Sequence, residues 1–275
     1  MALGRKILKE ILPPVLLKLV KPALEKKHYS FGDEEITIKK YLDMLPLSNK
    51  LCVDIAASDG VSISNTYFLY KSGWGGIAVE LDPIKFSMLA EYYKTFENVN
   101  LLKVRVVPNN VVAILESCEC PKDFAFLSLD IDSYDHFVLD QILSSYRPRL
   151  ICIEINEKIP PPISFTVTYD DDHYWKGDHF YGQSISKCAE LCEKHNYDIV
   201  ELQYNNLFVI PKEINKNKAL SAEEAYDAGY RSKADRKEKF PYNSDMEELL
   251  TMTKEDAIRA VNNKFEKYKG KYIIG

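Results

Sequence analysis

The chain has 275 residues, 46% of them hydrophobic, and its 36 Lys and Arg stand against 41 Asp and Glu for a net charge of −5. That is enough chain to bury a sizeable core, and too apolar a composition for disorder. The acidic balance excludes nucleic acid as the main partner, because phosphate binding needs a concentrated positive face.

The opening stretch, MALGRKILKEILPPVLLKLVKPALEKK, reads as neither signal peptide nor membrane span. Lys9, Glu10 and Lys18 interrupt it, and the uncharged run Ile11 to Leu17 falls far short of the roughly 18 residues a span needs. The pattern predicts an amphipathic basic helix, or two bent at Pro13-Pro14. Ile7, Leu8, Ile11, Leu12, Val15, Leu16 and Leu19 supply its apolar face. Residues 5–27 either make peripheral contact with a membrane surface or a partner, or pack on their own domain or across a homo-oligomer interface.

A lead-in helix is expected over 30–46, with Tyr41 and Leu42 turned inward. Then comes LCVDIAASDGVSISNTYFLYKSGWGGIAVELDP (51–83), which reads as strand, tight turn, helix, turn and strand. Cys52, Val53 and Ile55 are a buried strand run, Ala56 to Gly60 are small or turn-prone, and a helix is expected over 64–71. Ile77, Ala78 and Val79 form a second strand that ends on Glu80. An acid about twenty residues past a glycine turn suits a ribose diol at the tip of the second strand of a nucleotide-binding sheet. A dehydrogenase-type diphosphate site would need G-x-G-x-x-G; only Gly60 is present in the turn, and Asp59 would repel the anion.

Helix is expected over 83–95, strand over 101–107, helix over 110–116, strand over 124–132 (FAFLSLDID), helix over 136–145 and strand over 149–156 (RLICIEIN). The stretch 158–182 breaks the alternation with three consecutive prolines, the acidic triplet Asp170–Asp172 and several aromatics, as a lid or substrate-binding segment does. Helix returns over 183–195, and two strands over 198–203 and 207–211 are joined by a turn at Asn205-Asn206. Beyond 212 the chain is charged, with capping-box spacing at Ser221–Glu224, Ser244–Glu247 and Thr253–Asp256, and 231–239 reads as a solvated charge run. The six cysteines read as reduced core residues.

The fold class is therefore α/β, a Rossmann-like doubly wound sheet closed by an antiparallel hairpin, with helical N- and C-terminal extensions. The domain bounds are 1–46 for the N-terminal extension, 47–212 for the sheet domain and 213–275 for the C-terminal extension. Ligands in such sheets sit beyond the carboxyl ends of the strands, where Asp54, Glu80, Asp130, Asp132, Glu154 and Asn156 all fall. Asp130 and Asp132 are two apart, as are Glu154 and Asn156, so strand alternation puts each pair on one face of neighbouring strands. Three acids with no Arg or Lys in either motif need a proton or a divalent cation between them. Oxygen donors of this kind suit Mg²⁺, Mn²⁺ or Ca²⁺. Alternatively Asp132 and Asp135 cap the following helix and Glu154 binds substrate.

DIAASDGVSISNT followed by GWGGIAVELDP resembles the cofactor segment of the FkbM-type S-adenosylmethionine-dependent methyltransferases, mostly O-methyltransferases of bacterial glycans and secondary metabolites. The likeness spans residues 50–210 and is strongest over 53–83. It implies that Asp54, Ala56, Ser58, Asp59 and Gly60 face the methionine part of S-adenosyl-L-methionine, that Glu80 with Leu81 meets its ribose, and that Ser64, Asn65 and Thr66 are the family's S-N-T. Ala56 stands where glycine is usual, which a negative φ would tolerate. The acids are similar to those of macrocin-type sugar O-methyltransferases. That likeness makes Asp130, Glu154 and Asn156 ligands to Mg²⁺ or Mn²⁺ and Asp132 the general base, although E-x-N replaces that family's adjacent aspartates. His136 suits a base or a ligand, or helix-start packing. His173 and His179 lie in the long loop, with His179 the candidate for a basic role beside Tyr169, Tyr174, Trp175, Phe180 and Tyr181.

The resemblance implies a cytoplasmic O-methyltransferase, or one peripheral at the inner membrane surface. Its acceptor would be a sugar, nucleotide-sugar or other activated precursor of a bacterial capsule or surface glycan. Two alternatives remain at this level: a D-x-D metal-dependent glycosyltransferase, and a non-catalytic partner that keeps the fold.

Overall fold

The structure, a computed structural model, describes residues 28–275; the amphipathic segment 5–27 lies outside the described residues. Seven strands form the main sheet. β1 (Leu51–Ile55), β2 (Gly75–Glu80), β3 (Val99–Lys103), β4 (Phe126–Leu129) and β5 (Leu150–Glu154) are parallel. A short strand outside this sheet, β6 (Phe165–Val167), follows, and then the hairpin β7 (Tyr197–Gln203) and β8 (Asn206–Pro211). The order is β3-β2-β1-β4-β5-β8-β7, with β8 antiparallel to β5 and β7 antiparallel to β8. This is the Rossmann-like sheet with the antiparallel closing hairpin that the sequence predicts.

The strands form because they are apolar on both faces, as buried parallel strands are. Alternate residues feed two cores. Cys52, Ala78, Phe126, Cys152 and Phe208 pack under the helices Glu34–Met44, Tyr67–Lys71 and Pro83–Tyr93. Val53, Ile77, Leu127, Ile151 and Val209 pack under the helices Asp135–Ser145 and Ile185–Lys194. Helices on both faces make the sheet doubly wound. Gly76 is where β2 and β1 come closest: a Cβ there would lie 1.9 Å from the Cys52 carbonyl oxygen. All six cysteines are free thiols. No helix among the described residues is long and apolar enough to cross a membrane.

The differences from expectation are local. β3 stops at Lys103 instead of running to 107, so Val104–Val107 lead out as loop. The hairpin turn sits on Tyr204-Asn205, with Tyr204 at φ 57 and its N–H on the Gly229 carbonyl. Ser221 makes a true capping box and Thr253 caps its helix through Asp256, but Ser244 caps nothing. Glu247, expected as the box partner of Ser244, instead pairs with Arg236, which takes Arg236 out of the solvated charge run.

The stretch expected as a charged helical extension also carries core and a strand. Tyr226, Tyr230, Phe240, Met246, Val261 and Phe265 are buried with the sheet's second face. Strand β9 (Tyr272–Ile274) pairs antiparallel with β6, so the irregular stretch 158–182 is partly strand.

Candidate active site

The strand order reverses between β1 and β4, and the crevice beyond their carboxyl ends is where open α/β sheets bind ligands. A cleft of about 830 Å³ lies there. That is near the top of the range of about 300–1,000 Å³ usual for ligand sites, and leaves room for more than one small molecule.

The turn after β1 forms one wall. Ala56 has φ 71 and Ser58 φ 53, so the expectation of a negative φ at Ala56 is corrected. The reason is a shared acceptor: the N–H groups of Ala56 and Ala57 both donate to the Val79 carbonyl, each at 2.9 Å. Successive N–H groups converge on one oxygen when the chain reverses through the left-handed region. Glu80 completes the clamp, its carboxylate accepting from Ser58 N and Asp82 N, each at 2.7 Å. Asp59 accepts from Val61 N and Ser62 N, which makes it a turn former. Gly60, at φ 78, presses against the helix Pro83–Tyr93: a Cβ would come within 2.4 Å of Leu89 Cδ1, and Tyr93 Oη donates to its carbonyl at 2.7 Å.

Asp54 is buried at the end of β1 and accepts from Thr66 Oγ1 at 2.5 Å. Burial pushes its pKa up to about 6; Thr66 opposes the shift and Glu80 adds to it. Ser64 Oγ accepts from the N–H groups of Thr66 and Tyr67 and so starts the next helix. Of the ten expected donor-site residues, Asp54, Ala56, Ser58, Ser64, Asn65, Glu80 and Leu81 line the cleft. Asp59, Gly60 and Thr66 stand behind them and hold the wall in shape.

The carboxyl ends of β4 and β5 form the opposite wall. Asp130, Asp132 and Glu154 each offer an oxygen within 4.8 Å of the other two, with Asp130 open to the cleft and the other pair half-buried. Asp135 folds the loop that carries them, accepting from Ile131 N at 2.8 Å and Ser133 N at 3.0 Å, while Asp132 sits at φ 54. Glu154 also accepts from Asn205 Nδ2 at 2.7 Å. Desolvation within the cleft drives Asp130 and Glu154 well above the usual carboxylate range; the charges of Asp132 and Asp135 add to it for Asp130, and those of Asp130 and Asp132 for Glu154. Burial likewise raises Asp132, against the opposing charges of Lys85 and Lys158. No Arg or Lys among the described residues forms an ion pair with any of the three. An all-oxygen anionic donor set without a cationic partner fits a divalent cation.

Asn156 is not brought to this cluster, which corrects its place among the expected ligands. β5 ends at Glu154, so strand alternation stops before it. Its amide instead donates to the His179 carbonyl at 2.9 Å and the Tyr181 carbonyl at 3.0 Å, fully buried. Neither expected catalytic histidine lines the cleft. His136 Nδ1 lies 2.9 Å from Gln183 Oε1, and His179 Nε2 lies 2.9 Å from Asp245. His173 does line it, with Nδ1 2.5 Å from Ser133 Oγ. Of the loop aromatics, Tyr174 and Trp175 face the cleft, whereas Phe180 and Tyr181 are buried and Phe180 stacks on Tyr268 at 3.9 Å.

Lys85, Arg105 and Tyr134 also line the cleft and escaped the sequence reading. Arg105 was hidden inside the apolar run taken as strand. A basic residue interrupting Val104–Val107 was the available signal that the strand had ended.

No protein-family model matches this chain, and no curated protein sequence matches it. Among solved structures it is similar to an S-adenosylmethionine-dependent methyltransferase from Aquifex aeolicus, at 14% identity over 75% of this chain and 97% of that one, with a TM-score of 0.39. It is similar to a precorrin-6y C5,15-methyltransferase from Geobacter metallireducens, at 16% identity over 67% of this chain and 90% of that one, with a TM-score of 0.37. A protein of the NADB-Rossmann superfamily from Streptococcus agalactiae has 12% identity over 82% of this chain and 91% of that one, with a TM-score of 0.43. At identities and scores this low, the assignment of a reaction rests on the chain's own residues.

Proposed function

We propose that the protein is an S-adenosylmethionine-dependent O-methyltransferase. Its acceptor is a polar, hydroxyl-bearing small molecule, a sugar or activated precursor of a bacterial surface glycan, and a divalent cation assists. One observation carries this reading: Asp54, Ser58 and Glu80 line the same cleft into which Asp130 and Asp132 open. Glu80 suits the donor ribose because a carboxylate has about four lone-pair sites and two backbone N–H groups occupy only two. Asp54 and the left-handed turn hold the methionine part.

When bound, the donor would supply a methyl group, and a cation held by Asp130 and Glu154 would lower the pKa of the acceptor hydroxyl. The chain's own work is orientation and proton removal. Asp132, on the loop that Asp135 fixes, would receive the hydroxyl proton on a carboxylate oxygen. The domain bounds 47–212 and 213–275 fit a division of labour in which the first part carries donor and metal residues and the second braces the long loop.

Calorimetric titration with S-adenosylmethionine tests the core of the reading. Wild type is expected to bind, and Glu80→Ala to bind at least about ten-fold more weakly, the loss expected for a charge-assisted hydrogen bond. A wild type that does not bind, or one that binds a uridine diphosphate sugar instead, would reverse the assignment in favour of glycosyl transfer.

A further inference from the structure

Two cations face the cleft outside any ion pair among the described residues, with only the longer-range charges of Asp82 and Asp132 on Lys85 and of Asp171 on Arg105. The ammonium of Lys85, exposed on the helix Pro83–Tyr93, lies in no hydrogen bond or ion pair among the described residues. The carboxylate nearest to it in sequence, Asp82, caps that helix through Ile84 N and Lys85 N. Arg105 leaves the end of β3 and is held from behind. Its Nε donates to Tyr134 Oη and its Nη2 to the His173 carbonyl, both at 3.3 Å, and the guanidinium sits 4.6 Å from the Tyr174 ring. Asp171 adds a more distant opposing charge, but its carboxylate accepts from Tyr169 Oη.

A guanidinium fixed by neutral groups keeps unused donors, and a fixed fork of N–H groups matches a phosphate or carboxylate. The methyl donor does not account for these cations. Its one carboxylate belongs to the methionine part at the turn after β1, and β3 is two strands away from β1. The acceptor side does account for them. His173, whose carbonyl takes an Arg105 N–H, also contacts Ser133, the neighbour of Asp132, and the charge of Lys85 reaches Asp132. Tyr174, which takes the Arg105 guanidinium against its ring, and Trp175 are 54% and 46% exposed and line the cleft with apolar surface that a ring can pack on.

We propose that Arg105 and Lys85 seat an anionic group of the acceptor, so that the substrate class is a hydroxyl-bearing ring compound carrying a phosphate or a carboxylate. The inference rests on the methyl-transfer reading only in calling that compound the acceptor. Inorganic phosphate, uridine diphosphate, glucuronate and neutral glucose are the probes, titrated calorimetrically into the whole chain with and without saturating S-adenosylhomocysteine. The first two probes report a phosphate, the third a carboxylate.

With the donor site filled, at least one anion is expected to bind wild type and glucose to bind at least about ten-fold more weakly, since an unpaired fixed charge discriminates strongly. Arg105→Met and Lys85→Met are each expected to lose about ten-fold or more in anion affinity, with S-adenosylhomocysteine affinity kept within about two-fold. Should Arg105→Met fail to fold, Arg105→Lys keeps the charge without the fork and is expected to weaken the anion by a smaller factor. No anion binding by wild type, or undiminished binding by both methionine variants, would overturn the seat. So would a matching loss of S-adenosylhomocysteine affinity, which would assign the cations to the donor. Wild type that binds an anion but no S-adenosylhomocysteine would keep the seat and remove the methyl-transfer reading.

Discussion

Ala56 holds a backbone shape that glycine holds more easily. A β-carbon in the left-handed region costs stability, and replacing it with glycine recovers more than the added chain entropy removes. Ala56→Gly is therefore expected to stabilise the protein by about 0.5–1 kcal/mol in chemical denaturation. Asp54 makes the opposite kind of trade. Its folded pKa of about 6 lies above the ordinary 3.8, so the native state binds its proton more tightly than the unfolded chain does. The associated stability is fully present below pH 3.8 and is lost as pH rises through about 6. An asparagine carries no such term. Relative to wild type, Asp54→Asn should gain roughly 2–3 kcal/mol between pH 4 and pH 8, while weakening the donor site. Denaturation curves at the two pH values check this, and a constant difference between the two proteins would show that Asp54 does not titrate as described.

At the scale of elements, the proposed cation site draws its acids from the ends of both β4 and β5. A cation there would need them deprotonated, and desolvation with the repulsion of neighbouring carboxylates makes protons compete at higher pH than for ordinary carboxylates. Affinity for Mn²⁺ should rise by at least about ten-fold from pH 5.5 to pH 8 by calorimetry, and Asp130→Asn should flatten that rise. A pH-independent affinity would place the ion elsewhere. Asp130 and Asp132 lie past the end of β4 at Leu129 and reach the cluster through the loop that Asp135 folds, with Asp132 at φ 54. The sequence revealed Glu154 because alternation along β5 survives to its last residue. It misplaced Asn156 because alternation means nothing one residue later, where Ile155 N bonds to Asn205 and Asn156 N to Gln183. β1, β2, β4 and β5 were legible as apolar runs bounded by turn formers. β6 and β9 were not, since three-residue strands paired across more than a hundred positions leave no local period. Ser221 and Ser244 share one spacing, yet only the first caps, because Arg236 captures Glu247 in space.

Over the whole molecule, the C-terminal stretch is tied to the long loop by β9 on β6, by Asp245 on His179 and, at its most buried point, by one carboxylate. Glu157 is fully buried and accepts from Lys158 Nζ at 3.2 Å, Tyr181 Oη at 3.0 Å and Asn243 Nδ2 at 2.6 Å, while Tyr226 Oη donates to its carbonyl at 2.5 Å. Glu157 lies three residues beyond Glu154, and Tyr181 lies in the loop that reaches the cleft. Removing one donor leaves the carboxylate short of a partner it cannot replace with water. Asn243→Leu should cost about 1–3 kcal/mol in denaturation and loosen the loop, seen as faster proteolytic cleavage within 169–178. Unchanged stability and unchanged cleavage would show that the C-terminal stretch does not brace the site.

The turn after β1 owes its shape to partners that lie 22 or 23 positions further along, the Val79 carbonyl and the Glu80 carboxylate. The consequence is epistatic. While those two oxygens hold the N–H groups, position 56 is relieved of the need for glycine and can drift among small residues. Once it has drifted, position 80 is no longer free to change, because the turn has lost the intrinsic flexibility that would absorb the loss. Order of substitution thus matters: a change at 80 is expected to cost less stability after glycine at 56 than with alanine there.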